Sequence, residues 1–290
     1  MLSLKTKPRI SRAIRLFLYS NNKMSSDAFL ETLFREHQQA ARCPSPALVA
    51  DFFNRLLGFL FPDTSTKTYS DEDAFRAAYS KLETDFRYIL SRRLNRIASE
   101  DDAILRHFFG SLPEIRDMLL EDIQAMYDGD PAAKSLTEVV RTYPGFYAIA
   151  SHRIAHCLTE KGLHLIARII ASNAHSKTGI DIHPSARIGR HFCIDHGTGI
   201  VIGETTRIGE HVKIYQGVTL GALSVRKEDA SKKRHPDIGN HVVIYAGATI
   251  LGGQTAVGDH SVIGGNVWIT ESVAPHSKIY YRGHGEEVSG

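Results

Sequence analysis

The stretch DIHPSARIGRHFCIDHGTGIVIGETTRIGEHVKIYQGVTLGA, residues 181–222, sets an aliphatic anchor at Ile182, Ile188, Ile194, Ile202, Ile208, Ile214 and Leu220. The series continues at Ile238, Ile244, Ile250, Val257, Ile263 and Ile269. A rhythm of six is neither the 3.6 residues of a helix nor the alternation of one strand; it marks a chain that turns a corner every six residues and stacks coil on coil. A β-helix of hexapeptide repeats is therefore expected over 176–275. Glycine follows the anchor at Gly189, Gly203, Gly209, Gly221, Gly239, Gly258 and Gly264, where corners are expected to need backbone angles open mainly to glycine. Four places after an anchor stand Ala186, Thr198, Thr206, Val212, Val218, Val242, Ala248, Ser261 and Val267, small or β-branched and expected to point inward.

The rhythm breaks over 221–237, with a polar stretch running from Leu223 to Arg234. The anchor returns at Ile238, eighteen residues after Leu220. The segment is thus expected to loop outward for one turn and rejoin in register, and long loops on rigid scaffolds tend to carry function.

Upstream, 25–175 reads as helical. Ser70 with Asp73, and Ser111 with Glu114 and Pro113, resemble capping boxes and predict helix starts. Phe75, Ala78, Tyr79, Leu82, Phe86, Ile89, Leu90 and Leu94 recur at three and four, building one apolar stripe. Gly129 and Pro131 end a helix, Pro144-Gly145 opens another to about Glu160, and His164 begins the last before the repeats. The fold class is α+β, a helical domain followed by a parallel β-helix.

At 290 residues, with 42% hydrophobic and 23% charged residues, the chain has room for two soluble domains. No apolar run approaches the roughly 18 residues of a membrane span, so no membrane is expected. Cys43, Cys157 and Cys193 are far apart and odd in number, which suggests neither disulfides nor a zinc site and fits a reducing, cytoplasmic setting. The net charge of +3 is concentrated in Lys5, Lys7, Arg9, Arg12, Arg15 and Lys23; the rest carries 29 basic against 32 acidic residues, and nucleic acid is not expected as a partner. Residues 1–24 read as a disordered basic extension, with Met24 an alternative start, or as an organellar transit segment; either way they lie outside the fold.

Within the repeats, Asp181 and His183 open the first coil, Asp195-His196-Gly197 follows, and Arg234-His235-Pro236 closes the loop. Residues about 15 apart stand on neighbouring coils, which brings Asp181 toward His196, the geometry of an oriented imidazole base. The bland readings stand beside this one. Fifteen histidines guarantee some chance pairs, Lys232-Lys233-Arg234 is an ordinary solvated run, and Asp130 before Pro131 is an ordinary helix cap.

The stretches Asp181-Ile182-His183-Pro184-Ser185-Ala186, Asp195-His196-Gly197-Thr198-Gly199-Ile200-Val201-Ile202-Gly203-Glu204-Thr205, Gly217-Val218-Thr219-Leu220-Gly221 and Arg234-His235-Pro236 closely resemble the serine O-acetyltransferases. The likeness extends upstream through Glu121-Asp122-Ile123-Gln124-Ala125, Asp130-Pro131-Ala132 and Gly145-Phe146 to Arg153-Ile154-Ala155-His156. It covers roughly residues 120–270. The resemblance implies a left-handed β-helix and transfer of acetyl from acetyl-CoA to the L-serine hydroxyl, a step of cysteine biosynthesis, with feedback inhibition by cysteine.

It further implies His196 as general base, Asp181 as its partner, and Asp130, Asp195, Arg234 and His235 around serine, the aspartates taking its ammonium and Arg234 its carboxylate. Backbone N–H groups near Gly221 and Ala222 would face the oxyanion. The pantetheine arm would pass Ala222, Ala246, Gly247 and Gly265, small residues that also read as tight corners. The resemblance implies no metal, a groove between subunits, and a homotrimer or a dimer of trimers joined through the helical domain 25–175. Two departures are plain. Ala222 replaces the second glycine of the usual pair, and 276–290 lack the isoleucine-ending tail that docks into O-acetylserine sulfhydrylase, so docking by that route is not expected. Competing readings are a different acceptor, a three-histidine metalloenzyme of the carbonic-anhydrase type, and an inert oligomeric scaffold.

Overall fold

The computed structural model describes residues 25–40, 43–93, 96–223 and 232–280. Met1–Cys43 and Pro44–Gly290 form separate units. The first holds helix α1 (Ser26–Ala40), started by Ser25, whose hydroxyl accepts the Ala28 N–H at 3.3 Å. The basic extension 1–24 lies outside the described residues.

The second unit begins with α2 (Pro46–Leu60), α3 (Glu72–Ser91), α4 (Asp101–Gly129), α5 (Leu136–Thr142), α6 (Pro144–Glu160) and α7 (His164–Thr178). Ser45 caps α2 by accepting Leu48 N–H, and Pro46 sits where its missing N–H costs nothing. Helix α3 starts one residue later than its sequence suggests, because the Asp71 carboxylate takes the Ala74 N–H at 2.7 Å while Ser70 donates to Asp71. Its stripe is buried from Leu82 onward, whereas Phe75 is exposed yet stacked on Phe59, and Leu94 lies outside the described residues. Ser111 starts no helix. Its hydroxyl donates back to His107 O at 2.8 Å inside the long α4, which tolerates Pro113 in its interior.

Three parallel sheets then wrap a triangular solenoid. The first face stacks β1 (Asp181–Ile182), β4 (Val201–Ile202), β7 (Thr219–Gly221), β10 (Thr249–Leu251) and β13 (Trp268–Ile269). The second stacks β2 (Arg187–Ile188), β5 (Arg207–Ile208), β8 (Asp237–Ile238) and β11 (Ala256–Val257). The third stacks β3 (Cys193–Asp195), β6 (Lys213–Tyr215), β9 (Val243–Ile244), β12 (Val262–Ile263) and β14 (Lys278–Ile279). The fold is a left-handed parallel β-helix preceded by helices; the repeat predicts the coil and the resemblance implies its hand. Every anchor is buried, each contributing about 1.5–3 kcal/mol of transfer free energy.

The spacing departs from a uniform hexad at several places, and two of them bear on the site. Ile182 stacks on Ile202, so the first coil carries two extra residues; Ile200 takes the inward place and Thr198 turns out to solvent. Ile238 stacks on Ile208 and Leu220 on Ile250, so the 221–237 segment enlarges a single corner between the first and second faces and does not replace a turn. Its residues 224–231 lie outside the described residues.

The anchor-following glycines serve close approach, not unusual dihedrals, for none has positive φ. A Cβ on Gly189 would lie 2.5 Å from the carbonyl oxygen of Gly209 on the next coil. The left-handed corners are held largely by histidines instead. His191, His211, His241, His260 and His276 have φ of 54–60° and stack as a column with ring centroids 4.2–4.9 Å apart.

The helices are locked to the first coil by a buried fork. Arg153 on α6 donates to both carboxylate oxygens of Asp122 on α4, at 2.6 and 2.7 Å, and to the carbonyls of Ile188 and Gly189. Asp122 also accepts Phe192 N–H at 2.9 Å. This joint holds the end of α4 against the third face, where the next cluster forms.

Candidate active site

The predicted residues separate into two clusters on different corners of the solenoid. The first lies where α4 ends beside the corner between the third and first faces. Asp130 caps α4, its carboxylate accepting the Ala132 N–H at 2.8 Å and the Tyr143 hydroxyl. The Tyr143 bond, followed by the Ala132 N–H, holds the Asp130 carboxyl below its ordinary range, and the same bond pushes the phenol up to about 12. Asp195 ends β3 and receives Lys213 Nζ at 2.8 Å. His196 follows with φ of 58°, its side chain 76% exposed and its Nε2 3.8 Å from Asp195 Oδ1. Asp181 stands on β1 opposite Val201, one coil below, and shares no hydrogen bond with His196 among the described residues.

Above His196, the same corner rises through Gly217, then Ala246-Gly247, then Gly265-Asn266. Gly247 N–H bonds to Gln216 O and Asn266 N–H to Ala246 O, each at 2.9 Å, so three of the small residues expected beside pantetheine form one half-buried column.

The second cluster occupies the corner between the first and second faces. Arg234 pairs with Glu204 there. His235 is 7% exposed; its Nδ1 accepts Thr205 N–H at 3.0 Å, which leaves the proton on Nε2. Burial, then the cations Arg234 and Lys233, lower its pKa to about 4, so the ring is a neutral donor at neutral pH. Lys233 is no solvated bystander, since its Nζ reaches Thr205 O, Pro236 O and the Asp237 carboxylate and pins the returning loop. Burial, then the nearby Arg168, lower the pKa of His183 below this cluster. Gly221 and Ala222 lie on this corner too, at the end of β7.

The His235 ring rests on Gly203, where a Cβ would overlap Cδ2 and Nε2. Gly203→Ala is therefore expected to expel the imidazole and cost about 1–3 kcal/mol in urea unfolding, with altered ring-nitrogen shifts of His235 in NMR spectra. Unchanged shifts would show that the ring has room.

Sequence reasoning missed Lys213, Tyr143 and Tyr215. Lys213 also donates to Gly129 O at 2.6 Å and sits 4.4 Å from the Tyr215 ring centroid. The available signal was the register: Lys213 stacks on Cys193 and Tyr215 on Asp195. A cavity of about 460 Å³ lined by Gln124, Asp128, Gly129, His191, Cys193 and Lys213 opens beside this cluster. A second, of about 520 Å³, lies between α4, α6 and the second face and contains none of the predicted residues. Among the described residues no helix is long and apolar enough to cross a membrane.

Residues 75–151 match the family model described as serine acetyltransferase, N-terminal. The chain is similar to the plasmid serine acetyltransferase of Synechococcus elongatus, 53% identical over 191 residues, or 64% of this chain and 59% of that one. It is also similar to the crystal structure of serine acetyltransferase isoform 3 of Entamoeba histolytica in complex with cysteine, with a TM-score of 0.74 and 36% identity over 82% of this chain and 83% of that one. A Brucella abortus serine acetyltransferase in complex with coenzyme A is similar over 82% and 81% of the two chains, with 32% identity and a TM-score of 0.58.

Proposed function

The chain belongs to the serine acetyltransferase family of acyltransferases, and from that premise we propose that it moves the acetyl group of acetyl-CoA onto the hydroxyl of L-serine in a cytoplasmic route to cysteine. The observation that carries the reading is the division of the predicted residues between two corners flanking the first face. Asp130, Asp195, His196 and the small column occupy one corner; Arg234, His235, Gly221 and Ala222 occupy the other. Neither half suffices for an amino-acid zwitterion, since one supplies carboxylates for its ammonium and the other cations and neutral donors for its carboxylate. A threefold assembly in which the first corner of each copy meets the second corner of its neighbour completes three sites.

In that site His196 removes the serine hydroxyl proton while the oxygen attacks the thioester carbonyl. Asp181, from the coil below, is the carboxylate that the family resemblance assigns to orient the imidazole. Backbone N–H groups at Gly221 and Ala222 receive the oxyanion. The tetrahedral species collapses to O-acetylserine, and the imidazolium returns its proton to the departing CoA thiolate. The Entamoeba relative holds cysteine and the Brucella relative coenzyme A, which supports both halves of this ligand assignment. Cysteine differs from serine only at one heteroatom and is expected to compete for the same pocket.

The test is release of CoA from acetyl-CoA with L-serine and L-homoserine side by side, joined to a mixing experiment. His196→Asn and Arg234→Ala chains, each inactive alone, are expected to regain about one quarter of wild-type activity when reassembled together in equal amounts, by random assortment around a closed ring. No recovery from mixed oligomers would place both residues in one chain's site. No serine-dependent CoA release from the wild type would overturn the activity itself.

A further inference from the structure

An ammonium already stands where the proposed substrate must place its own. Lys213 Nζ is held in three directions, by the Asp195 carboxylate at 2.8 Å, the Gly129 carbonyl at 2.6 Å and the face of Tyr215 at 4.4 Å. Its side chain is 17% exposed and that of Asp195 13%. An ammonium has three donors, and each of these finds a partner here. Although burial opposes the charge, Asp195 holds the lysine above its ordinary pKa, so it stays protonated. Asp130 is separately engaged by Tyr143 and the Ala132 N–H, which leaves Asp195 as the carboxylate over which two cations compete.

We propose that Lys213 is a resident stand-in for the substrate's α-ammonium, bound to Asp195 before an amino acid enters and displaced from it on entry. It thereby sets the concentration at which amino-acid ligands occupy the site. This rests on the reading of Asp130 and Asp195 as the ammonium site. The exchange has a defined landing place. When Lys213 yields Asp195 it keeps the Gly129 carbonyl and the Tyr215 face, so one charge-assisted contact is given up, not three. The incoming ammonium restores the neutrality of Asp195, and Lys213 carries its own charge on the Gly129 carbonyl and the Tyr215 face. A ligand without an α-ammonium has nothing to offer Asp195 and leaves Lys213 in place, so the lysine also selects for amino acids over simple hydroxy acids. Lys213 acts through Asp195 and is a positioning residue, not a catalytic one.

Steady-state kinetics with L-serine at saturating acetyl-CoA, on the full chain and its variants, test this. Lys213→Met is expected to lower KM for L-serine on the order of tenfold, the worth of one charge-assisted hydrogen bond no longer displaced. Its kcat should stay within about twofold, because no interaction special to the transition state is touched. Lys213→Arg restores the cation on Asp195 and is expected to keep the wild-type KM. Lys213→Gln removes the charge while retaining a donor for Gly129 and should follow the methionine variant, which covers the case in which Lys213→Met fails to fold. A KM that is unchanged or raised in the uncharged variants, or an arginine variant that behaves like them, overturns the exchange. A wild-type enzyme that transfers nothing to L-serine fails the underlying reading instead, and the two failures are seen in different arms.

Discussion

Replacing His196 with asparagine is expected to lower kcat by about 10²- to 10⁴-fold, the usual worth of a positioned base. Asparagine is the variant of choice because residue 196 has a φ of 58°, a conformation that Asn tolerates far better than alanine does. The side chain is 76% exposed and packs against little, so the unfolding midpoint should hardly move. The measurement is turnover with both substrates saturating, beside a thermal melt. Wild-type turnover in a folded variant would remove His196 from the chemistry, whereas loss of turnover together with loss of fold would point to the corner's backbone.

The largest effect on stability is expected at Arg153. Its guanidinium forks onto a carboxylate whose residue, Asp122, is 0% exposed. Arg153→Met strands that charge in the core and is expected to cost about 3–5 kcal/mol in urea unfolding. The double variant Arg153→Met with Asp122→Leu removes the stranded charge and should recover a large part of that loss. Recovery should stop short of complete, because the Phe192 N–H and the carbonyls of Ile188 and Gly189 lose their partners as well. A single variant that loses under about 1 kcal/mol would mean that water reaches Asp122.

The coil was legible because its signal is repeated: each anchor answers to the same inward position, and one irregular spacing cannot hide the rest. The corners were less so. Glycine after the anchor suggested special dihedrals, but its cause is the next coil's backbone lying too near for a Cβ, a contact invisible in a linear pattern. The histidines that do adopt left-handed angles looked like scattered titratable groups until stacking placed His191, His211, His241, His260 and His276 in one column. Ser111 was misread because a capping box and a serine bonding back to the preceding turn share the same local letters.

At the candidate site, Asp130, Asp195, His196, Arg234 and His235 were all named from sequence. Their division between two corners was not, although counting faces from the anchors contains it: Asp195 and His196 follow a third-face anchor, Glu204 and Arg234 follow first-face anchors. Lys213 was passed over because lysine just before an anchor is an ordinary outward residue, and only the stacking of β6 on β3 sets it beside Asp195.

The enlarged corner after Leu220 has a consequence for how such a molecule can change. Because Ile238 resumes on Ile208 and Leu220 continues onto Ile250, no later rung is shifted by the added length. Segments of very different size can be exchanged at this point while Lys233 and Gly203 go on fixing the exit at His235. The corner can in this way change by insertion and deletion, mutations that would ruin a sheet whose strands carry their own spacing.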